Sequence, residues 1–159
     1  MASKGQKVAG GAGVVALAIA IATPFIMPFE GKVNASYADV VGVWSACYGH
    51  TRGVRPGQYY SDAQCRTLLA DDVREHADGV AGCVNTYLPP ETMAAAVSLT
   101  FNIGIRAFCR STIARRFNAG DLRSGCDGFL AWNRAGGRVI AGLARRRAAE
   151  RALCLKGLT

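Results

Sequence analysis

No two cysteines of this 159-residue chain form a CxxC pair, so the zinc-ribbon and thioredoxin spacings are missing and no metal site is expected. There is no internal repeat and no low-complexity linker. The length suits one domain with a real core and is short for two. Acidic residues are scarce: 11 Asp and Glu stand against 19 Lys and Arg, a formal net charge of +8. The excess points to an anionic partner, whether nucleic acid, acidic phospholipid or an anionic cell-wall polymer, or simply to solubility. Charge of either sign is missing altogether from the 22 residues Val8 to Phe29.

That uncharged run follows Lys4 and Lys7 and is long enough to cross a hydrocarbon layer, which takes roughly 20 residues. Its quality is poor. Gly10, Gly11, Gly13 and six Ala dilute it, and Pro24 and Pro28 are expected to bend or end a helix. Leu, Ile, Phe and Val, which drive insertion, make up fewer than half of it. It reads as a marginal anchor, able to enter a bilayer and to leave it. Ala20-Ile21-Ala22 also fits a small-x-small cleavage site, so a signal peptide removed after Ala22 is the rival reading. A buried core helix of a cytosolic protein is the third, disfavoured by the glycines and prolines. Six Cys behind an export-type N-terminus favour an oxidising compartment and up to three disulfides.

Beyond the run, residues 30–60 lack helical periodicity. Val40-Val41-Gly42-Val43-Trp44 and Cys47-Tyr48-Gly49 read as short strands of an antiparallel sheet. Ser61-Asp62-Ala63-Gln64 is a capping box that opens a helix running to about Val80. Pro89-Pro90-Glu91 precedes a helix from about Glu91 to Asn102. Further helices are expected at about 108–118, 121–133 and 138–154. The fold class is α+β, mainly α: a small β-containing lobe and a larger helical lobe over residues 30–159, behind a segment 1–29 that acts as the anchor.

Glu30 and Asp39 stand nine apart across a turn-rich segment. Glycoside hydrolysis needs such a pair, one acid to protonate the leaving oxygen and one carboxylate to orient water or attack the sugar. Glu30, beside Phe29 and the apolar run, is the one expected to hold its proton through desolvation; Asp39 is expected to stay ionised, with Ser45 holding water. By itself the spacing fits two surface carboxylates equally well.

Glu30-Gly31, Tyr37-x-Asp39, Gly42, Trp44-Ser45 and Gly49-His50 together resemble the signature of the phage-type lysozymes, a glycoside hydrolase family. Phe101-Asn102-x-Gly104, Trp132, Ala135-Gly136-Gly137 and Gly142-Leu143-x-x-Arg146-Arg147-x-x-Glu150 are similar to its C-terminal half. The weak anchor resembles that of signal-anchor-release endolysins, which phages export uncleaved and then free from the membrane. The resemblance implies a lysozyme-like fold and a muramidase acting on peptidoglycan. Glu30 would be the general acid, Asp39 the carboxylate that activates water, and Ser45 its helper in place of the more usual Thr, with inversion at the anomeric carbon. It implies substrate contact for Gly49, Asn102 and Gly104, with packing first for the last two, and a structural pairing of His50 with Asp72. Cys47, Cys65, Cys126 and Cys154 sit where such endolysins often carry cysteine, while Cys83 and Cys109 are additions; six cysteines allow about 15 pairings, which the sequence does not choose among, and Cys47–Cys65, Cys83–Cys109 and Cys126–Cys154 is the set expected. No cofactor and no nucleic acid are implied. The partners would be the inner membrane, the host secretion machinery and a holin or pinholin. The protein would be a monomer, tethered on the periplasmic side of the host inner membrane and then released to the periplasm. No Cys precedes Cys47, so a thiol in the anchor that attacks a disulfide is not an available switch. Arg145-Arg146-Arg147 reads as a solvated helix face that complements the C-terminus of its helix.

Overall fold

The computed structural model describes residues 11–159; Lys4, Lys7 and the first three residues of the uncharged run lie outside them. Helix α1 runs unbroken over Ala12–Glu30 with Pro24 and Pro28 inside it. The expectation that the prolines end the helix or leave the approach to Glu30 extended is therefore corrected. Both prolines sit one turn apart on the exposed side, so the carbonyls of Ala20 and Pro24 that lose their N–H partners face water. The opposite side carries Ala18, Ala22 and Ile26, all fully buried. Small residues at this i, i+4, i+8 spacing let α1 lie close on α3 (Pro90–Ile103) and α2 (Asp62–Cys83).

Helix α3 is the hub. Thr92 to Thr100 are all buried, as befits a helix that is apolar on every side and surrounded by others. Against it pack α1, α2, the short α4 (Ile105–Cys109) and α7 (Ala141–Lys156). Helices α5 (Thr112–Asn118) and α6 (Leu122–Asp127), followed by a 3-10 turn Gly128–Ala131, close the far side. The expected helix at 108–118 is two helices, because Ser111 caps a new start: its hydroxyl accepts from Ala114 N. The expected helix at 138–154 begins at Ala141, and Arg138–Val139 (β4) instead pairs with Arg134–Ala135 (β3).

In the small lobe β1 (Val33–Ala38) pairs antiparallel with β2 (Trp44–Cys47), with Tyr37 opposite Ser45 and Ala38 opposite Trp44. Here the sequence reading is displaced: Val40 to Val43 form the turn and not a strand. The Asp39 carboxylate accepts from Val41 N at 2.9 Å and Val43 N at 2.8 Å, and Gly42 takes the positive φ of 82° that the turn needs. Those local bonds outweigh the strand preference of three valines. Helix α2 begins on the expected capping box, with both reciprocal bonds present, and continues one turn beyond Val80 to Cys83.

Three disulfides staple these parts. Cys47–Cys65 joins β2 to α2, Cys83–Cys109 joins α2 to α4, and Cys126–Cys154 joins α6 to α7. None reaches α1, which is held by packing and by the contacts of its last turn.

Gly125 of α6 sits against the buried Phe117 ring, where a Cβ would overlap ring atoms. Gly125→Ala is expected to cost about 1–3 kcal/mol and to lower Tm by roughly 3–10 °C, measured by thermal unfolding with the disulfides intact.

Candidate active site

Glu30 ends α1, where the helix dipole already places partial negative charge, so a carboxylate there requires a cation. Arg146 of α7 supplies it, with Nη1 2.6 Å from Glu30 Oε1. The guanidinium is buried, with 4% of the residue exposed. Its Nε donates to Glu150 Oε1 at 3.1 Å and its Nη2 to the Ser98 carbonyl at 3.2 Å. The same guanidinium lies over the Phe29 ring, 5.2 Å from the centroid, a cation–π contact.

Behind it Glu150 and Arg147 are both fully buried. Arg147 Nη2 donates to Glu150 Oε1 at 2.9 Å, its Nε lies 2.6 Å from Glu150 Oε2, and Nη1 donates to Asn102 Oδ1 at 2.9 Å. Ser98 Oγ donates to Glu150 Oε1 at 2.6 Å. Burial raises the Glu150 carboxyl from its ordinary value, against the pull of Arg147, Ser98 and Arg146. Burial also lowers the Arg147 guanidinium, which Arg146 reinforces and Glu150 opposes. Glu30, Glu150, Arg146 and Arg147 thus form one cluster on α1 and α7, tied to α3 through Ser98 and Asn102. The reading of Arg145-Arg146-Arg147 as a solvated face is corrected for the last two and holds only for the exposed Arg145. The i,i+3 and i,i+4 spacing of Arg147 and Arg146 to Glu150 was the one signal available in the sequence.

Opposite Glu30 stands the small lobe. Gly49 has φ 83°, and a Cβ built there would lie 3.9 Å from Glu30 Oε2. Its backbone therefore forms the wall that the carboxyl faces, in a conformation that excludes most side chains. Asp39 is at the tip of the hairpin, half-buried, with Oδ1 committed to the turn. Among the described residues no group bonds Oδ2, which leaves it for water. Ser45 is buried in β2, and its Oγ reaches the Val43 carbonyl only at 3.5 Å, the outer limit of a hydrogen bond, so the hydroxyl is easily redirected. Asn102 is tied to Arg147, and Gly104, with φ 89°, ends α3.

His50 Nδ1 lies 2.7 Å from Asp72 Oδ2, and Nε2 lies 2.9 Å from the Arg52 carbonyl. This pins the small lobe to α2. Beside it is a cavity of about 370 Å³ lined by His50, Arg52, Asp72, Glu75, His76 and Phe101 among others. His76 stacks on Phe101 with centroids 5.2 Å apart, and its Nδ1 is buried without a hydrogen-bond partner. Burial lowers the His76 imidazole, against the opposing pull of Glu75 and Asp72. Among the described residues no cluster of His, Cys, Asp and Glu is arranged to hold a metal ion.

Comparison with known proteins places these features in one setting. The model of the phage lysozyme family matches residues 27–150, a span that holds Glu30, Asp39, Ser45, Asn102, Arg146 and Glu150. The chain is 41% identical over 133 residues to the SAR-endolysin of Enterobacteria phage P21, covering 80% of this chain and 78% of that one. It is 39% identical over 129 residues to the SAR-endolysin of Bacteriophage PS119, covering 80% and 77%. Its fold is similar to the muramidase domain of SpmX from Asticaccaulis excentricus, with a TM-score of 0.80, 33% identity and coverage of 85% of this chain and 95% of the other.

Two outcomes are expected from this geometry. Arg146→Ala leaves Glu30 unpaired and Glu150 half-paired, costing on the order of 3–5 kcal/mol; chemical denaturation measures the loss. For His76, the depressed folded value means that the unfolded chain binds the proton more readily. Its contribution is therefore whole above the ordinary histidine value and is lost as pH falls through it. A His76→Gln variant is expected to lose less Tm than the parent between pH 7.5 and 5.5.

Proposed function

The chain belongs to the phage lysozyme family, and on that premise we propose that it is a bacteriophage endolysin, a muramidase that hydrolyses the β-1,4 bond between N-acetylmuramic acid and N-acetylglucosamine in peptidoglycan. The observation that carries this is the placing of Glu30, gripped by Arg146 and facing the Gly49 backbone, across from a hairpin that bears Asp39 and Ser45.

In this reading the Glu30 carboxyl protonates the glycosidic oxygen as the bond to the anomeric carbon breaks. Arg146, already in contact, stabilises the carboxylate that forms, an electrostatic contribution organised before the reaction. Asp39 Oδ2 takes a proton from water, which attacks the anomeric carbon from the opposite face, and Ser45 Oγ orients that water. This is the inverting form of the reaction. Oδ1 of Asp39 stays bonded to the turn, which fixes the carboxylate plane. Gly49, Asn102 and Gly104 shape the walls that receive the sugars, while His50 and Asp72 hold the two lobes at their working separation.

Control follows from α1. Among the described residues it is the helix long and apolar enough to cross a membrane, and it buries only one narrow stripe in the body. Much of the remaining surface is apolar too, with Leu17 56% exposed. We propose that residues 1–29 are a signal-anchor, exported by the host secretion machinery, left in the inner membrane and released when a holin or pinholin collapses the membrane potential. While α1 is in the bilayer Glu30 is withdrawn from Arg146. Packing of Ala18, Ala22 and Ile26 on release brings the acid home. The burial of Ala18 and Ala22 favours an uncleaved anchor over a signal peptide cut after Ala22, since that cut removes part of the stripe.

Glu30→Gln keeps the shape and removes the proton. It is expected to abolish lysis of chloroform-treated cells, by at least about 100-fold, with circular dichroism unchanged. The periplasmic protein is expected to have the mass of an uncut chain and to be active without added reductant. Lysis by the Gln variant would remove the catalytic assignment, and a start at Thr23 or a requirement for reductant would remove the account of control.

A further inference from the structure

A cavity of about 510 Å³ lies between the last turn of α1 and the first turn of α7, lined by Pro28, Phe29, Glu30, Asn102, Ile140 and Arg145 among others. Its volume is that of a small-ligand site, and one wall is the candidate acid itself. Within it the two arginines differ. Arg146 is spent on Glu30, Glu150 and the Ser98 carbonyl. Arg145 is exposed and makes no ion pair among the described residues. A Cβ at Gly142 would stand 4.0 Å from Arg145 Nη2, so the guanidinium lies over a bare stretch of helix at the cavity rim, open to a ligand. Elsewhere on α7, Arg147 and Arg151 are paired with Glu150 and Asp127.

A fork of five donors beside an acid that already has its cation in Arg146 is a poor match for sugar hydroxyls and a good one for a second carboxylate. In peptidoglycan such groups belong to the peptide stems, which hang from the muramic acid residues next to the scissile bond. Resting on the muramidase reading, we propose that Arg145 is a specificity residue that binds a stem carboxylate and so favours stems with a free carboxylate over stems in which it is amidated. It acts in substrate binding and touches none of the reacting atoms.

The test compares two polymers, peptidoglycan with free stem carboxylates and the same peptidoglycan with those carboxylates converted to amides, with release of reducing ends as the readout. Arg145→Gln is expected to raise KM on the carboxylate-bearing polymer by about threefold to tenfold, with kcat unchanged, and to leave the amidated polymer unaffected. Arg145→Lys, which keeps the charge and loses the fork, is expected to restore part of the loss. Equal losses on both polymers, or no loss on either, overturn the proposal while the muramidase reading stands. If the parent enzyme releases no reducing ends from either polymer, the reading falls and the proposal with it.

Discussion

One buried guanidinium ties the molecule together. Arg146 touches the end of α1 through Glu30, the middle of α3 through the Ser98 carbonyl, and its own helix through Glu150. A cation this deeply buried is costly unless every donor finds an acceptor, and these partners lie on three different helices. The requirement therefore works in both directions. The helices must meet at one angle for Arg146 to be satisfied, and once they do, Glu30 has a single place to stand. The nearby Arg147 and Glu150 pair with each other, which lets the cluster sit against the apolar core formed around α3.

This arrangement explains how a hydrophobic helix can have two resting places. Its buried stripe is made of Ala18, Ala22 and Ile26, a modest area that water-driven packing secures only with help from the Glu30–Arg146 contact and the Phe29 ring beneath it. The rest of the surface is apolar enough for lipid. Disulfides hold the small lobe, α2, α4, α6 and α7 and leave α1 out. The body is thus stapled whether or not α1 is present, and α1, which carries Glu30, is tied to it by no disulfide.

Much of the helical frame was legible. The capping box Ser61–Gln64 marks the start of α2, and Pro89-Pro90 marks that of α3, because caps and prolines act within a few residues of themselves. The strands were misplaced because Val40, Val41 and Val43 carry strand-like side chains, while the Asp39 carboxylate and Gly42 impose a turn through bonds that composition does not reveal. Helix α1 was expected to break because proline removes a bond. It does not break, because both prolines face outward, and facing is set by what lies on the other side. Arg146 and Arg147 were read as solvated from their charge. Their burial depends on Glu30, Ser98 and Asn102, which are between 45 and 116 residues from the arginine each one touches.

The sequence by itself determined the family, the uncharged N-terminal run, and the candidacy of Glu30, Asp39 and Ser45, since each is a matter of residue type and spacing along the chain. Tertiary structure alone decided which cation holds Glu30, that α1 stays helical through two prolines, and that Arg145 remains open while its two neighbours are consumed. The reason is physical: charge burial and helix facing are properties of the space between elements, and neighbouring residues that look alike in the chain fall on different sides of a helix that turns 100° at each step.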